Sequence, residues 1–246
     1  MRDHIIIHYH EIGLKGRNRS FFENALVKNV KRALGSNVRR LPGRLVADIP
    51  DGADHAELGA RLREVFGIAN FAFARGGMLD LDQIYDLAWT MVQPLDYETF
   101  EVRARRAHSD YPLTARELNE KVGAFLLERS GKRVNLSSPD LTCAIEIVGD
   151  LVLVSVAREQ GPGGLPVGVS GRVAGLLSGG FDSPVACARM MKRGARVTFI
   201  HFHSQPFTDG SSVRHAEELA QILTRFQYDS TLYLVPSAPC TITRRT

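Results

Sequence analysis

The stretch that most constrains this chain is Leu176-Leu177-Ser178-Gly179-Gly180-Phe181-Asp182-Ser183-Pro184. Residues 171–177 read as a short buried strand, and residues 185–194 read as a helix closed by Gly194. A strand that passes through a Gly-Gly turn into a helix start makes an anion site. Glycine lets the backbone come close to a ligand, and the free N–H groups of the first helical turn point at it. Pro184 suits that turn, because its missing N–H would have no partner there. The loop lacks the Gly-Lys-Ser/Thr ending of a Walker A loop, so amides and the hydroxyls of Ser178 and Ser183 must hold any polyphosphate. Asp182 adds a negative charge beside such a ligand, which calls for Mg²⁺ or the helix terminus as compensation. The alternative is a plain turn in which Asp182 or Ser183 only caps the helix.

After the loop helix, residues 196–203 read as a strand, 211–226 as a helix and 230–235 as a third strand. That order is the start of a doubly wound α/β sheet, which binds ligands at the carboxyl ends of its strands. Residues 161–171, rich in glycine and proline, read as an interdomain linker.

The front of the chain has a different pattern. Residues 4–12 are strand-like and 13–19 form a basic loop, with Ser20 and Glu23 placed as a capping box before a helix carrying Leu26 and Val30 inward. Strands at 38–41 and 45–49 flank Pro42-Gly43; a helix follows with Leu58, Leu62, Val65 and Phe66 on one face, then a strand at 68–74. The order β-α-β-β-α-β is ferredoxin-like, a fold that names no function alone. A helix at 81–92 precedes an alternating strand, 99–106, with Phe100, Val102 and Ala104 on one side and Glu101, Arg103 and Arg105 on the other; Arg106 stands at its end. Outward arginines are either a solvated edge or a ridge that grips phosphate. Thr114 and Glu117 form a second capping box, 132–136 is a short strand, and 143–148 pairs with 151–157 across Gly149-Asp150.

No apolar run approaches 18 residues, so no membrane span is expected, and the first twelve residues are too short in apolar content for a signal peptide. Cys143, Cys187 and Cys240 form no C-x-x-C pair, which indicates a reducing cytoplasm and neither a disulfide framework nor a zinc site. The net charge of +4 is unevenly spread. Residues 15–44 hold nine Lys/Arg and one acid, whereas 48–98 hold ten acids and three arginines. Such asymmetry suggests a polyanion-facing surface that would include Lys15, Arg17 and Arg19; for any one of these residues the alternative is a solvated helix face.

Ser178-Gly179-Gly180-Phe181-Asp182-Ser183 resembles the PP-loop of the ATP pyrophosphatases. Together with Gly163-Gly164-Leu165-Pro166-Val167-Gly168, Met191-Lys192-Arg193-Gly194 and the run from His201 to Phe207, it resembles the tRNA 4-thiouridine synthetases, or tRNA sulfurtransferases. Glu11, Lys15-Gly16, Asn18-Arg19 and Phe21-Phe22-Glu23-Asn24 match that family's opening. Phe100 to Arg106, Tyr111-Pro112-Leu113, and Val134-Asn135-Leu136 ahead of Pro139-Asp140 resemble the THUMP domain of RNA-modifying enzymes. The fold implied is α/β and α+β multidomain. It comprises a ferredoxin-like domain (1–75), a THUMP domain (76–160), a linker (161–172) and an incomplete, Rossmann-like PP-loop domain (173–246).

The resemblance implies that Leu176, Leu177, His201 and Phe202 hold the adenine, that the loop holds the phosphates of ATP with Mg²⁺, and that Ser178 and Asp182 take part in catalysis. It tips Arg103, Arg105 and Arg106, with Lys15, Arg17 and Arg19, toward tRNA. The implied reaction adenylates O4 of uridine 8, and a cysteine desulfurase then supplies sulfur as a persulfide. A homodimer and a role in thiamine thiazole synthesis are family possibilities. The family's domain extends past the third strand and carries its acceptor cysteine there; residues 237–246 depart from the pattern, and Cys240 has no claim to that role. The expectation is a truncated chain with an unpaired sheet edge and weak or absent turnover. Two alternatives remain: a tRNA-binding module with a vestigial nucleotide site, and another PP-loop enzyme. Among the latter, the 2-thiocytidine enzymes need C-x-x-C cysteines that are absent here.

Overall fold

The computed structural model describes residues 2–107, 110–204 and 210–236, and the backbone of Thr243–Arg245. It forms two compact units: Met1–His8, Ser36–Leu58 and Asn70–Gln160 make one, and Tyr9–Gly35, Gly59–Ala69 and Gly161–Thr246 make the other. In chain order the elements begin β1 (Arg2–His8), α1 (Arg19–Leu34), β2 (Val38–Leu41), β3 (Arg44–Asp48), α2 (His55–Leu62), β4 (Asn70–Gly77), α3 (Leu81–Val92), β5 (Thr99–Ala107) and α4 (Ala115–Ser130). They continue β6 (Arg133–Val134), β7 (Leu141–Val148), β8 (Leu151–Ser155), β9 (Glu159–Gln160), β10 (Arg172–Leu176), α5 (Asp182–Lys192), β11 (Arg196–His203), α6 (Ser211–Thr224), β12 (Leu232–Pro236) and β13 (Thr243–Arg245).

The first unit is one sheet in the order β2-β3-β1-β4-β8-β7-β5-β6, with β9 also paired to β4. Its first four strands have the ferredoxin-like arrangement, and the antiparallel β4–β8 pairing carries the same sheet into β8, β7, β5 and β6. α3 and α4 cover one face with Ile84, Leu87, Leu118 and Val122 against Val102, Ile145 and Val154. Thr114 caps α4 as expected: its hydroxyl accepts the Glu117 N–H at 3.2 Å, and the Glu117 carboxylate accepts the Thr114 N–H at 2.7 Å.

The other face closes on itself. Arg44 of β3 reaches Glu146 of β7 although β1, β4 and β8 lie between them. Four strand-to-strand steps would span roughly 19 Å in a flat sheet, so this one is tightly coiled. Ile6, Val46, Ala74 and Leu153 fill the inside of the coil. Glu146 is 1% exposed and also meets His8 Nε2 at 3.2 Å and Arg158 at 3.4 Å. Burial pushes its carboxyl pKa up, but His8, Arg44 and Arg158 outweigh that and hold it below the usual value.

In the second unit the order is β10-β11-β12-β13, the first three strands parallel and β13 antiparallel to β12. The third strand's edge, expected to be unpaired, is therefore taken by β13. The core joins Leu177, Cys187, Met191, Val197, Phe199 and Leu223. At Gly175 an added Cβ would lie 2.6 Å from Cys187 Sγ and 2.7 Å from Val197 Cγ1, so a missing side chain sets how closely α5 lies on the sheet. β10 is not buried on both faces as expected: Arg172, Ala174 and Leu176 are exposed, because the helix-backed core lies on its other side.

Four further local expectations fail for physical reasons. The first strand stops at His8, since Glu11–Leu14 and Gly16–Asn18 turn as short 3-10 helices. α1 starts at Arg19 behind an Asn18 cap that makes no side-chain bond, and Glu23 is occupied elsewhere: it takes the Tyr9 hydroxyl and Arg19 Nε, the latter at 2.7 Å. α2 ends at Leu62, and Val65 and Phe66 are buried from the turn that follows. Glu101 is buried, where it takes the Thr142 hydroxyl at 2.9 Å and pairs with Arg103 at 2.8 Å.

Residues 161–171, expected as a linker, are bonded into the second unit. Gly163 N–H donates to Ile68 O at 2.7 Å, Leu165 N–H to Lys192 O at 2.9 Å and Gly168 N–H to Gly194 O at 2.8 Å. Gly164 has φ +79° and passes so close to Lys192 that a Cβ would sit 2.2 Å from its carbonyl oxygen. α1 joins the same unit: Asn29 Nδ2 donates to Val167 O at 3.2 Å, and the Tyr228 hydroxyl donates to Asn29 O at 2.8 Å.

Candidate functional site

β10 delivers the loop. Leu177 N–H still pairs with Ile200 O at 2.8 Å, then the chain leaves the sheet and re-enters as α5 at Asp182. Ser183 closes the turn: its Oγ accepts the Ser178 N–H at 2.9 Å and lies 3.0 Å from Ser178 Oγ. The two hydroxyls expected to face a polyphosphate are thus side by side. Asp182 occupies the first residue of α5, whose start has no side-chain cap. The plain capping alternative therefore finds no support in Asp182.

The glycines answer a sharper question. Neither Gly179 nor Gly180 has positive φ. A Cβ at Gly179 would meet nothing within 4 Å, and one at Gly180 only Ser178 Oγ at 3.7 Å. Nothing in the folded chain requires glycine at either position. What the two glycines do leave is bare backbone and open space beside the N-terminus of α5, which fits a phosphate chain drawn close to N–H groups.

The four residues expected to hold adenine meet here, on two faces of the sheet. Leu176 and Phe202 are 60% and 57% exposed on the open face, whereas Leu177 and His201 are buried at 3% and 4%. His201 Nδ1 lies 2.8 Å from Leu177 O. A carbonyl only accepts, so Nδ1 carries a proton and donates it to this bond, which leaves Nε2 as the ring's other nitrogen. That Nε2 is buried with no hydrogen bond from the described residues.

The six basic candidates fall in separate units and differ in availability. In the second unit, Lys15 Nζ lies 5.0 Å over the Phe22 ring and Arg17 is exposed. Arg19 is engaged with Glu23, and it donates to the Tyr9 hydroxyl at 3.0 Å. In the first unit Arg103 is exposed but paired to Glu101, Arg105 is exposed and Arg106 is half-buried.

Family models match in three consecutive blocks: the ThiI ferredoxin-like domain over residues 4–72, the THUMP domain over 79–157, and the thiamine biosynthesis protein ThiI over 168–240. A protein named probable tRNA sulfurtransferase from Thermus thermophilus is 38% identical over 232 residues, covering 93% of this chain and 57% of its own length. One of the same name from Nocardia farcinica is 40% identical, covering 94% of this chain and 58% of its own length. A solved 4-thiouridine synthetase–RNA complex with bound ATP superposes with a TM-score of 0.86 at 33% identity, over 96% of this chain and 62% of that one. PH1313 from Pyrococcus horikoshii superposes at 0.82 with 28% identity, over 96% of this chain and 80% of its own.

The chain belongs to the ThiI family. It spans about three-fifths of the length of the ThiI relatives it matches, 57% and 58% in the two named above. Its ThiI domain places the loop, His201 and Phe202 at the carboxyl ends of β10 and β11, where an α/β sheet binds ligands. A cavity of about 920 Å³ lies at the opposite, amino ends of these strands, lined by Arg172, Arg196, Asp229 and Thr231 among others. Arg196 there is already paired to Asp229.

Burial pushes the Cys143 thiol up to about 12, and burial also raises that of Cys187, so neither is a ready thiolate. Cys240 and residues 205–207 of the family motif lie outside the described residues. Among the described residues no group of three His, Cys, Asp or Glu could hold a metal ion. Phe181, a large apolar side chain set between the glycine pair and Asp182, lies outside any amphipathic pattern and is 91% exposed.

Proposed function

We propose that this chain binds ATP in the 178–183 loop and tRNA on its basic surfaces, and serves the ATP-dependent conversion of uridine 8 to 4-thiouridine. The observation that carries the reading is the pair Gly179 and Gly180, glycines that the fold does not require, set between β10 and the N-terminus of α5 with two hydroxyls at their side. The names of the relatives, and an RNA- and ATP-bound structural neighbour, point to the same chemistry.

A uracil carbonyl oxygen is a poor leaving group. Bonding that oxygen to the α-phosphorus of ATP, with release of pyrophosphate, turns it into a phosphate ester that leaves readily. Ser178, Ser183 and the first N–H groups of α5 would hold the departing pyrophosphate, and Phe202 and Leu176 would cover the adenine. Mg²⁺ would sit against phosphate oxygens with Asp182 as its protein carboxylate, since one carboxylate beside a nucleotide suits a cation that keeps several waters. Sulfur would come as a persulfide from a cysteine desulfurase in the cytoplasm: its terminal sulfur would displace AMP from C4, and a second, external thiol would then cleave the S–S bond, leaving sulfur on C4 and ending as a disulfide with the donor cysteine. Lys15, Arg17 and Arg105 are the cations best placed to meet tRNA phosphates, while Arg19 and Arg103 are held by acids.

Calorimetric titration with Mg–ATP, and with unmodified tRNA transcript, tests the reading. Binding of both is expected, and Ser178→Ala with Ser183→Ala should weaken ATP while leaving tRNA unchanged. A chain that binds tRNA but no ATP would reduce this to an RNA-binding module with a vestigial loop.

A further inference from the structure

The candidate site presents two exposed aromatic rings, and the nucleotide reading uses one. Phe202 is 57% exposed on the open face of the sheet, and Phe181 is 91% exposed at the tip of the loop. The Phe181 backbone, φ −77° and ψ −27°, is ordinary for any residue, so the turn does not call for an aromatic. Packing does not call for one either, because a ring left this far in water contributes almost nothing to the core. Val185, one helical turn on and 52% exposed, extends the same apolar surface along α5.

Resting on the ATP reading above, we propose that Phe181 is the platform on which the RNA base to be activated stacks. Phe181 follows Ser178 by three positions, so their Cα atoms are at most about 11 Å apart and the ring stands near the two loop hydroxyls. A base whose oxygen must bond to the α-phosphorus has to dock near them as well. The bare backbone of Gly179 and Gly180 leaves Phe181 as the nearest bulky side chain on the loop itself. Aromatic stacking tolerates any base, so Phe181 holds a flipped nucleotide in place without choosing its identity.

The chain has one native tryptophan, Trp89, in the other unit, so Phe181→Trp adds a separate fluorescent reporter. Unmodified tRNA transcript, with ATP present, should quench the introduced indole, and a transcript abasic at uridine 8 should not. Phe181→Ala should weaken the intact transcript roughly tenfold and the abasic one hardly at all, with ATP affinity by calorimetry unchanged. Equal quenching by both transcripts would overturn the proposal. So would quenching by ATP alone with loss of ATP affinity in Phe181→Ala, which would make the ring part of the nucleotide pocket. If the wild type binds no ATP yet the two transcripts still differ, the ATP reading fails and the stacking role stands.

Discussion

His201 donates from Nδ1 to the carbonyl of Leu177 at 2.8 Å, a buried bond that ties the end of β11 to the last residue before the loop. The bond fixes the direction in which the loop departs and keeps a proton on Nδ1. His201→Ala should cost about 1–2 kcal/mol in urea unfolding, the price of an unsatisfied buried carbonyl. It should also loosen ATP binding, because the hydroxyls of Ser178 and Ser183 follow Leu177. An unchanged unfolding midpoint would show that the carbonyl finds water instead.

Asp182 sits at the start of α5 without capping it. Asp182→Asn should therefore change stability by no more than about 1 kcal/mol, the worth of an acid near a helix N-terminus. The same variant should lose most Mg-dependent ATP binding and keep its tRNA affinity. Calorimetry with and without EDTA separates the two effects, and a parallel loss of tRNA binding would contradict the division of labour.

Arg17 and Arg19 are two residues apart and should respond differently. Lys15→Ala with Arg17→Ala should lower the slope of log affinity for tRNA against log salt by about 0.7–0.9 for each phosphate contact removed. Arg19→Ala should instead destabilise the chain by about 1–3 kcal/mol, since it strips a charged partner from Glu23, which is 6% exposed. Fluorescence titration over a salt series, alongside thermal melts, distinguishes the two classes.

Glu146 makes the coiled sheet acid-sensitive. Its folded carboxyl lies below the ordinary value because His8, Arg44 and Arg158 overcome the effect of burial. A depressed carboxylate adds stability above its unfolded value, and that stability is lost as pH falls through the folded one. Unfolding midpoints should therefore drop steeply below the usual carboxylate range. Glu146→Gln should flatten that acid limb and lower stability at neutral pH, since Arg44 is left buried without its counter-charge.

Elements decided by local chemistry were legible in the chain itself. α3, β11 and the capping box of Thr114 and Glu117 follow from apolar spacing and short-range bonds, and the structure has them where pattern places them. The loop belongs with these, because strand, glycine pair and helix are contiguous. What was not legible depends on partners far away in sequence. Glu23 looks like half of a capping box until Tyr9 folds back to it. Glu101 looks like a surface acid until Thr142 of the neighbouring strand meets it. The glycines at 164 and 168 look like a tether until residues 192 and 194 come up against them. Arg44 and Glu146 are 102 residues apart, and no periodicity announces their meeting.

The assignment of α1 to the same unit as the loop has a practical consequence for anyone dissecting this chain. The backbone threads back and forth, so expression boundaries drawn at residues 75 or 160 would sever Asn29 from Val167 and Phe66 from Phe226. Neither excised piece would be a self-sufficient module. A protease nick in the 161–171 segment should leave the pieces associated until denaturant parts them.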